Sequence, residues 1–469
     1  MGEHLNLHKS MDTMVRRFSG KLLLRQEIPL DDNHFKWLLA SSYFTPVPAI
    51  QRKLFFYQCR RCGNAKRSLI GMMPCAVCHK THPYCRKCIE MGRVTTCEPL
   101  YQWTGPDASW PAYDDALTWH GELTDAQKKA AERVVKAIES TERKLLIWAV
   151  CGAGKTEMLF PGIHQAIRTK KRVCIATPRA DVVRELLPRL QEAFSTVPIE
   201  ALYGGSKDKE ATAQIILSTT HQLLRFQDAF DVLIIDEIDA FPYHADPSLP
   251  YAANRARKPS GTIVYLTATP RKRQRLLIAL NLLPHMFVPI RFHGHPLPVP
   301  RLQMCFALQK GELPQAFLTW CKTRKNPQRQ LLIFVPTVEL AECLAKKLAL
   351  FFKQENIIDD RADLQSVHAS DHAREEKVHR FRRKEIFILL TTTILERGVT
   401  FPSVDVAVLD AGHDVFDEAA LVQIAGRAGR SPDDPDGEVV FFHDGKTESI
   451  VDAVRSIKTM NKRAGFSSL

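Results

Sequence analysis

From Leu123 onward, short runs rich in Val, Ile and Leu alternate with segments whose apolar residues recur at helical spacing. The runs are Lys144–Val150, Arg172–Ala176, Gln214–Ser218, Asp231–Ile235 and Thr262–Leu266, each bounded by turn residues. A strand covered on both faces has no polar alternation, so these runs read as buried strands of a parallel sheet. A basic, proline-rich stretch, Arg291–Pro300, interrupts the rhythm. It then restarts at Gln330–Phe334, Glu385–Leu390, Val404–Leu409 and Glu438–Phe442. The pattern predicts an α/β fold with two tandem doubly wound domains, 123–296 and 297–469.

The chain before Leu123 lacks this rhythm. It divides into an N-terminal segment, 1–56, and a cysteine-rich module with its linker, 57–122. Proline and aspartate around Pro106–Asp115 mark a boundary there. Trp103, Trp110 and Tyr113 lie in this linker. Packing onto the neighbouring domain is the favoured reading for them, with stacking on unpaired bases the other. The most apolar stretch, Leu276–Ile290, is cut by Asn281, Pro284 and His285, so no transmembrane helix is expected. The stretch Met1–Arg17 is charged and has no apolar run, unlike a secretory signal. The expected compartment is the cytosol, where cysteines stay reduced or bind metal.

Composition adds one fact that matters. The 65 Lys and Arg against 52 Asp and Glu leave a net charge of +13, which favours a polyanionic partner, nucleic acid before an anionic membrane. The 45% hydrophobic and 25% charged content is that of an ordinary globular protein and excludes a disordered or collagen-like chain.

Seven of the 12 cysteines fall between Cys59 and Cys97: Cys59-x2-Cys62, Cys75-x2-Cys78, Cys85-x2-Cys88 and Cys97. Two sulfurs three positions apart in a tight turn grip one face of a tetrahedral zinc ion, and a second pair completes it. Gly63 suits the turn after the first pair, and Cys85 and Cys88 open a short helix predicted to end at Gly92. Four thiolates fill one site; six or seven, with His79 and His82 nearby, fill two, and the spacing leaves both open. Arg52–Arg93 carries ten Lys and Arg against the single acid Glu90, a candidate nucleic-acid surface.

The run Ala149-Val150-Cys151-Gly152-Ala153-Gly154-Lys155-Thr156-Glu157 follows a predicted strand and precedes a helical stretch. Glycines let backbone N–H groups close on phosphate, a lysine reaches the β- and γ-phosphates, and a threonine hydroxyl holds Mg²⁺. The strand Asp231–Ile235 ends in Asp236-Glu237-Ile238-Asp239. There Asp236 is placed to coordinate Mg²⁺ and Glu237 to act as general base. In the second half, Gln423–Arg430 carries Arg427 and Arg430 three apart, expected on one helix face. Such a pair can reach a γ-phosphate held by the other domain. These features predict ATP hydrolysis.

In order, these residues resemble the motifs of superfamily 2 helicases, whose motor is a pair of RecA-like domains. Ala149–Thr156 resembles motif I, Thr177-Pro178-Arg179 motif Ia, Asp236–Asp239 motif II and Leu266–Thr269 motif III. Thr392–Val399, with Gly398, resembles motif V, and Gln423–Arg430 motif VI. Leu123–Gln127 is similar to the glutamine motif that senses adenine, which implies a nucleotide-binding role for Gln127. Within the superfamily the chain resembles the ComFA family of late competence proteins, on its N-terminal cysteine module, Tyr84–Cys88, Met91–Val94 and Asp236–Tyr243. The resemblance implies an ATP-driven translocase of single-stranded DNA for DNA uptake. It implies work at the cytoplasmic face of the membrane, with the ComEC channel, ComFC and DprA; a peripheral membrane contact and a multimeric state are left open. The family's simplest members show two CxxC pairs, matching Cys59/Cys62 and Cys85/Cys88 here, with Cys75, Cys78 and Cys97 additional.

Two other functions compete. A replication-restart helicase similar to PriA also joins zinc to this motor, but there the zinc module is inserted within it. Here every clustered cysteine precedes Leu123. A zinc-dependent nucleic-acid adaptor with a vestigial ATPase would not need the intact Lys155, Asp236, Glu237, Arg427 and Arg430.

Overall fold

The computed structural model describes residues 11–466 apart from 209, 307–311 and 356–363. The first ten residues of the stretch read as lacking a signal lie outside the described residues. The chain forms two units: 1–147 with 156–286, and 148–155 with 287–469.

The first unit opens with a small sheet. Strands β1 (Leu22–Leu23) and β2 (Phe44–Val47) both pair antiparallel with β8 (Leu100–Trp103), in the order β1-β8-β2. Phe18, Leu23, Phe35, Leu38, Phe44 and Trp103 close its core. The segments expected as 1–56 and 57–122 therefore share one sheet, and the cysteine module is inserted between β2 and β8. The amino-acid pattern hides this, because β1 and β8 are too short to show a period.

The inserted module consists of two antiparallel pieces. Strands β3 (Ile50–Arg52) and β4 (Tyr57–Cys59) form a hairpin. Strands β5 (Ile70–Pro74), β6 (Thr81–Cys85) and β7 (Val94–Thr95) form a three-stranded sheet. After β6, a 3-10 helix over Arg86–Met91 stops at Gly92, whose φ of 103° suits glycine alone, as the pattern anticipated.

The large sheet has the order β11-β12-β10-β13-β14-β9-β15. Its strands are β9 (Lys144–Ala149), β10 (Val173–Thr177), β11 (Ile199–Leu202), β12 (Ile215–Thr219), β13 (Phe230–Ile235), β14 (Arg257–Thr267) and β15 (His285–Val288). The pairings among β10 to β14 are parallel. Strands β10 and β12 are buried at every position, which explains the apolar runs with which they begin. Strand β14 begins at Arg257, earlier than the apolar run, because Arg257 pairs with Phe230 before a register shift.

The second unit has a six-stranded parallel sheet in the order β16-β21-β20-β17-β19-β18. Its strands are β16 (Arg301–Met304), β17 (Gln330–Phe334), β18 (Leu364–Val367), β19 (Ile388–Thr391), β20 (Val404–Val408) and β21 (Val439–His443). Strand β19 starts at Ile388, not Glu385, because the Glu385 N–H caps the preceding helix by donating to Arg380. Two parallel sheets, one in each unit, with helices between their strands are the fold class that the rhythm predicted. No helix among the described residues is long and apolar enough to cross a membrane.

Candidate nucleotide site and metal centre

The phosphate-loop residues leave the carboxyl end of β9. Gly152 and Gly154 have φ of 79° and 68°, conformations that a β-carbon disfavours. Ala149, Val150, Cys151 and Ala153 are buried, and the Ala153 N–H donates to the Val150 carbonyl at 3.2 Å. The loop residues Trp148–Lys155 pack with the second unit. There the Cys151 thiol donates to Gln423 Oε1 at 3.0 Å. A β-carbon at Gly426 would lie 2.4 Å from that of Cys151, so only glycine permits the approach. Glu157 begins a 3-10 turn, and its carboxylate pairs with Arg189.

In the first unit, Thr156, after the phosphate loop, and Asp236, after β13, meet at one edge of a small void of about 10 Å³ whose other lining residues are aliphatic, Leu159 and Leu266 among them. The oxygens of Thr156 and Asp236 are the hard donors that magnesium takes. Glu237 holds a φ of 53°, left-handed backbone uncommon for a non-glycine residue, and its N–H donates to Asp236 Oδ1 at 2.8 Å.

Motifs II and III are joined through a side chain that sequence reasoning passed over. Asp239 is fully buried and accepts from Thr267 Oγ1 at 2.5 Å and Thr269 Oγ1 at 2.6 Å, while Arg271 donates to its carbonyl at 2.7 Å. The spacing of Asp236 and Asp239 carried the signal, since an acid that far inside a motif must be satisfied by neighbours.

Gln127 is buried in the first turn of the helix Asp125–Glu139. Its Oε1 accepts from the Thr124 N–H at 2.8 Å, and its own N–H donates to Thr124 Oγ1 at 3.4 Å, a reciprocal cap.

Arg427 and Arg430 do not share a helix. The helix Glu418–Ala425 ends at Gly426; Arg427 lies in the turn that follows and Arg430 just beyond it. Arg427 is buried, with Nε donating to the Glu396 carbonyl at 3.1 Å. Arg430 donates to the Gly426 carbonyl at 2.9 Å and to Thr400 Oγ1 at 3.3 Å. Three small residues, Ala425, Gly426 and Ala428, and Gly429 at φ 61° let the chain leave the helix early. Gly398, with φ of 73°, turns the chain beside them in sequence motif V.

In the inserted module, the sulfurs of Cys59, Cys62, Cys85 and Cys88 lie within 4.8 Å of one another and are buried. Cys59 and Cys88 are 3.8 Å apart, Cys62 and Cys85 3.6 Å. A tetrahedral zinc ion with bonds of about 2.3 Å spaces its sulfurs by about 3.8 Å, so this set fits one zinc. Hydrogen bonds from Cys59, Cys62 and Cys88 hold the Cys85 thiol below its ordinary range, and Asn64 Nδ2 adds a donor at 3.6 Å. A second group, Cys75, Cys78 and Cys97, also converges. Backbone N–H groups of Cys78 and Val77 lower the Cys75 thiol to about 7.

The first knuckle is bound to the motor. Gly63 has φ of 73°, and a β-carbon there would meet the Tyr251 ring at 2.6 Å. Arg255 donates to the carbonyls of Arg60 and Arg61, and through its other nitrogens to Leu224 at 2.6 Å and Phe226 at 3.0 Å. Burial lowers the Arg255 pKa to about 10. Arg61 is fully buried and pairs with Glu27 at 2.6 Å, and Lys87 pairs with Asp246 at 2.8 Å. Lys66, Arg67, Lys80, Arg86 and Arg93 stay exposed, as do Arg52 and Lys53 beside Leu54 and Phe55, both 92% exposed. Phe55 was missed as a candidate contact; two exposed apolar residues beside cations was the signal. Trp110 is buried with the Arg172 guanidinium 4.8 Å from its ring, which bears out the packing reading for that linker residue.

Residues 8–102 match the family model of the competence protein ComFA N-terminal domain. Residues 120–272 match the type III restriction enzyme res subunit, and 312–432 the helicase conserved C-terminal domain. The chain is 45% identical over 447 residues to competence protein ComFA of Bacillus subtilis, covering 94% of each chain. It is 40% identical to competence protein ComFA of Streptococcus pneumoniae, covering 82% of this chain and 87% of that one. Among solved structures, S. cerevisiae Dbp5 bound to RNA and ADP BeF3 aligns over 74% of this chain and 88% of that chain, with a TM-score of 0.53 at 17% identity. DEAD-box helicase Mss116 bound to ssRNA and UDP-BeF aligns over 74% and 83%, with a TM-score of 0.53 at 18% identity. These two share the fold of paired helicase domains.

Proposed function

We propose, from the premise that the chain belongs to the ComFA family of competence proteins, that it is an ATPase that moves along single-stranded DNA during DNA uptake. The observation that carries the reading is that Thr156, after the phosphate loop, and Asp236, at the carboxyl end of β13, are brought side by side. Ligands of open parallel sheets bind at the carboxyl ends of the strands.

In this reading Lys155 and the loop amides bind the ATP phosphates, and Gln127, Ala149–Glu157 and Gly398 line the nucleotide. The N–H of Ala153 leaves the Val150 carbonyl when phosphate arrives. Magnesium, when bound with ATP, neutralises phosphate charge, and Thr156 and Asp236 are the residues that would hold it. Glu237 orients the attacking water and accepts its proton. Asp239 positions Thr267 and Thr269, so that strand β14 follows the loop after β13. Arg427 and Arg430 supply positive charge to the γ-phosphate in the transition state.

The exposed cations of the inserted module and the Phe55 tip supply a phosphate track and a stacking surface for unpaired bases. The Cys59, Cys62, Cys85 and Cys88 set holds a structural zinc that keeps Arg60 and Arg61 on the motor. By family, the protein acts at the inner face of the cytoplasmic membrane with the ComEC channel, ComFC and DprA, as a multimer.

The test is the ATPase rate of the full chain alone and with single-stranded DNA, blunt duplex and RNA. Single-stranded DNA is expected to raise turnover most, and added salt to suppress the rise. Equal rates with and without single-stranded DNA at low salt would exclude the reading.

A further inference from the structure

The inserted module contains a second knuckle built like the first. In the first, the Gly63 N–H donates to the Cys59 carbonyl at 2.8 Å, and the Cys59 N–H to the Asn64 carbonyl at 2.9 Å. In the second, the His79 N–H donates to the Cys75 carbonyl at 2.9 Å, and the Cys75 N–H to the Lys80 carbonyl at 2.9 Å. The residue after each CxxC pair has positive φ, 73° at Gly63 and 56° at His79. A non-glycine residue held in this conformation is uncommon, so the turn is imposed by its surroundings. His79 thus occupies the position of Gly63 in the turn.

Cys97 completes a converged trio with this pair, and His82 approaches it through Cys78. Cys97, just beyond β7, brings its sulfur to 3.4 Å from Cys75 and 3.5 Å from Cys78. His82, on β6, places Nε2 at 3.0 Å from the Cys78 sulfur. Its other ring nitrogen, Nδ1, lies 3.1 Å from Thr96 Oγ1. When Nδ1 donates to that hydroxyl, Nε2 keeps its lone pair facing the Cys78 sulfur, and a small turn of the ring brings it toward the other two, the arrangement of a metal-binding histidine and its outer partner.

We propose that Cys75, Cys78, Cys97 and His82 form a second zinc site, separate from the buried four-cysteine set. Three thiolates and one imidazole are a closed structural donor set for zinc. The site ties the exposed Cys75–Lys80 turn to the chain after β7, on the far side of the three-stranded sheet's register from Cys85. Cys97 is exposed and Cys75 and Cys78 half-buried, whereas all four cysteines of the first set are buried. The second ion is therefore the one a chelator reaches first. The inference does not depend on the translocase reading and is tested without it.

The experiment measures metal by elemental analysis in the full chain purified without chelator, with ATPase as a fold control. The parent is expected to carry two zinc ions per chain, released by a chelator in two phases. Cys97→Ser and His82→Ala are each expected to retain one ion, lose the fast phase and keep the basal ATPase rate. His82→Cys, which restores a fourth ligand, is expected to regain the second ion; a merely structural role for the imidazole would not give that rescue. In cobalt-substituted protein, the thiolate charge-transfer band is expected to fall in the Cys75→Ser, Cys78→Ser, Cys97→Ser triple variant, as three of seven thiolates are removed. One ion per chain in the parent overturns the proposal. So does an unchanged metal content in Cys97→Ser, or a Cys75–Cys97 disulfide in the parent by mass spectrometry under non-reducing conditions.

Discussion

Arg255 donates to the backbone carbonyl of Arg60 at 2.9 Å, joining a motor helix to the first cysteine knuckle. The helix Ser248–Ala256 that carries it follows the Asp236–Asp239 motif by a short loop containing Asp246, the partner of Lys87. The inserted module is thus seated on the segment that leads out of the candidate nucleotide site. At Arg255 the attachment consists of hydrogen bonds to carbonyls, which a planar five-donor guanidinium satisfies and an ammonium does not.

Arg255→Ala should therefore destabilise the chain by about 2–3 kcal/mol, the range for hydrogen bonds to a charged donor left unmade. Arg255→Lys should recover only part of this. Urea midpoints of the three proteins check the order, and a parent-like midpoint for Arg255→Ala would show that the clamp is dispensable.

Gly63→Ala should be costlier than an ordinary glycine replacement. It strains a positive φ and drives a β-carbon into the Tyr251 ring at 2.6 Å. Faster zinc release from this variant, with parent-like basal hydrolysis, is the expected result.

Lys155→Ala should abolish hydrolysis and leave the thermal midpoint near that of the parent. Glu237→Gln should bind ATP and fail to hydrolyse it. Asp239→Ala, which strands the Thr267 and Thr269 hydroxyls, should lower kcat by roughly tenfold or more, with a smaller change in KM. Steady-state ATPase kinetics with nucleotide-binding measurements separate the three. Arg427→Ala or Arg430→Ala should slow turnover by about 10³-fold if either acts as an arginine finger; parent rates in both would remove that role.

Lys21 makes stability depend on alkaline pH. Burial, then the charge of Arg172, lowers its pKa from 10.5 to about 7. Below pH 7 the ammonium is charged in both folded and unfolded chains, and the cost of burying it is present in full. As pH rises from 7 to 10.5 the folded chain releases the proton first, so this cost disappears and stability rises. The Lys21→Met variant lacks that increment. The difference in urea midpoint between variant and parent should thus favour the variant at pH 6.5 and shrink by pH 10. A gap independent of pH would place the Lys21 charge elsewhere.

Phe55→Ala should weaken single-stranded DNA binding by about 1–3 kcal/mol, the value of one base stacked on an aromatic ring. The salt dependence should stay unchanged, because no phosphate contact is lost. Lys53→Ala should instead reduce the log–log salt slope by about 0.7. Fluorescence anisotropy with a labelled oligonucleotide across a salt series distinguishes them.

The alternating apolar runs and the order of the motifs were legible in the amino-acid sequence because each rests on local chemistry. A strand covered on both faces is apolar wherever its side chains find no polar partner, and β17 is buried at all five positions, with only Gln330 polar and bonded to the Phe381 and Ile386 carbonyls. Gly63, Gly92, Gly152 and Gly154 announced positive φ for the same reason, since the conformation belongs to the residue itself. The turn that carries Arg427 and leads to Arg430 was less legible. Its apolar and small residues fit a helix as well as a turn, and the positive φ of Gly429 and the close approach of Gly426 to Cys151 appear only in the folded chain.

Residue spacing by itself thus determined the two parallel sheets, the phosphate loop and the pairing of cysteines in CxxC turns, because these depend on neighbours a few positions away. Tertiary structure alone decided that Asp239 holds Thr267 and Thr269, that Leu22–Leu23 and Leu100–Trp103 share a sheet across the inserted module, and that Cys97 meets Cys75 and Cys78. Each of those contacts joins residues some 19 to 80 positions apart. Nothing in a local period encodes such a meeting; it follows from how already-formed elements bury their remaining polar and metal-binding groups against one another.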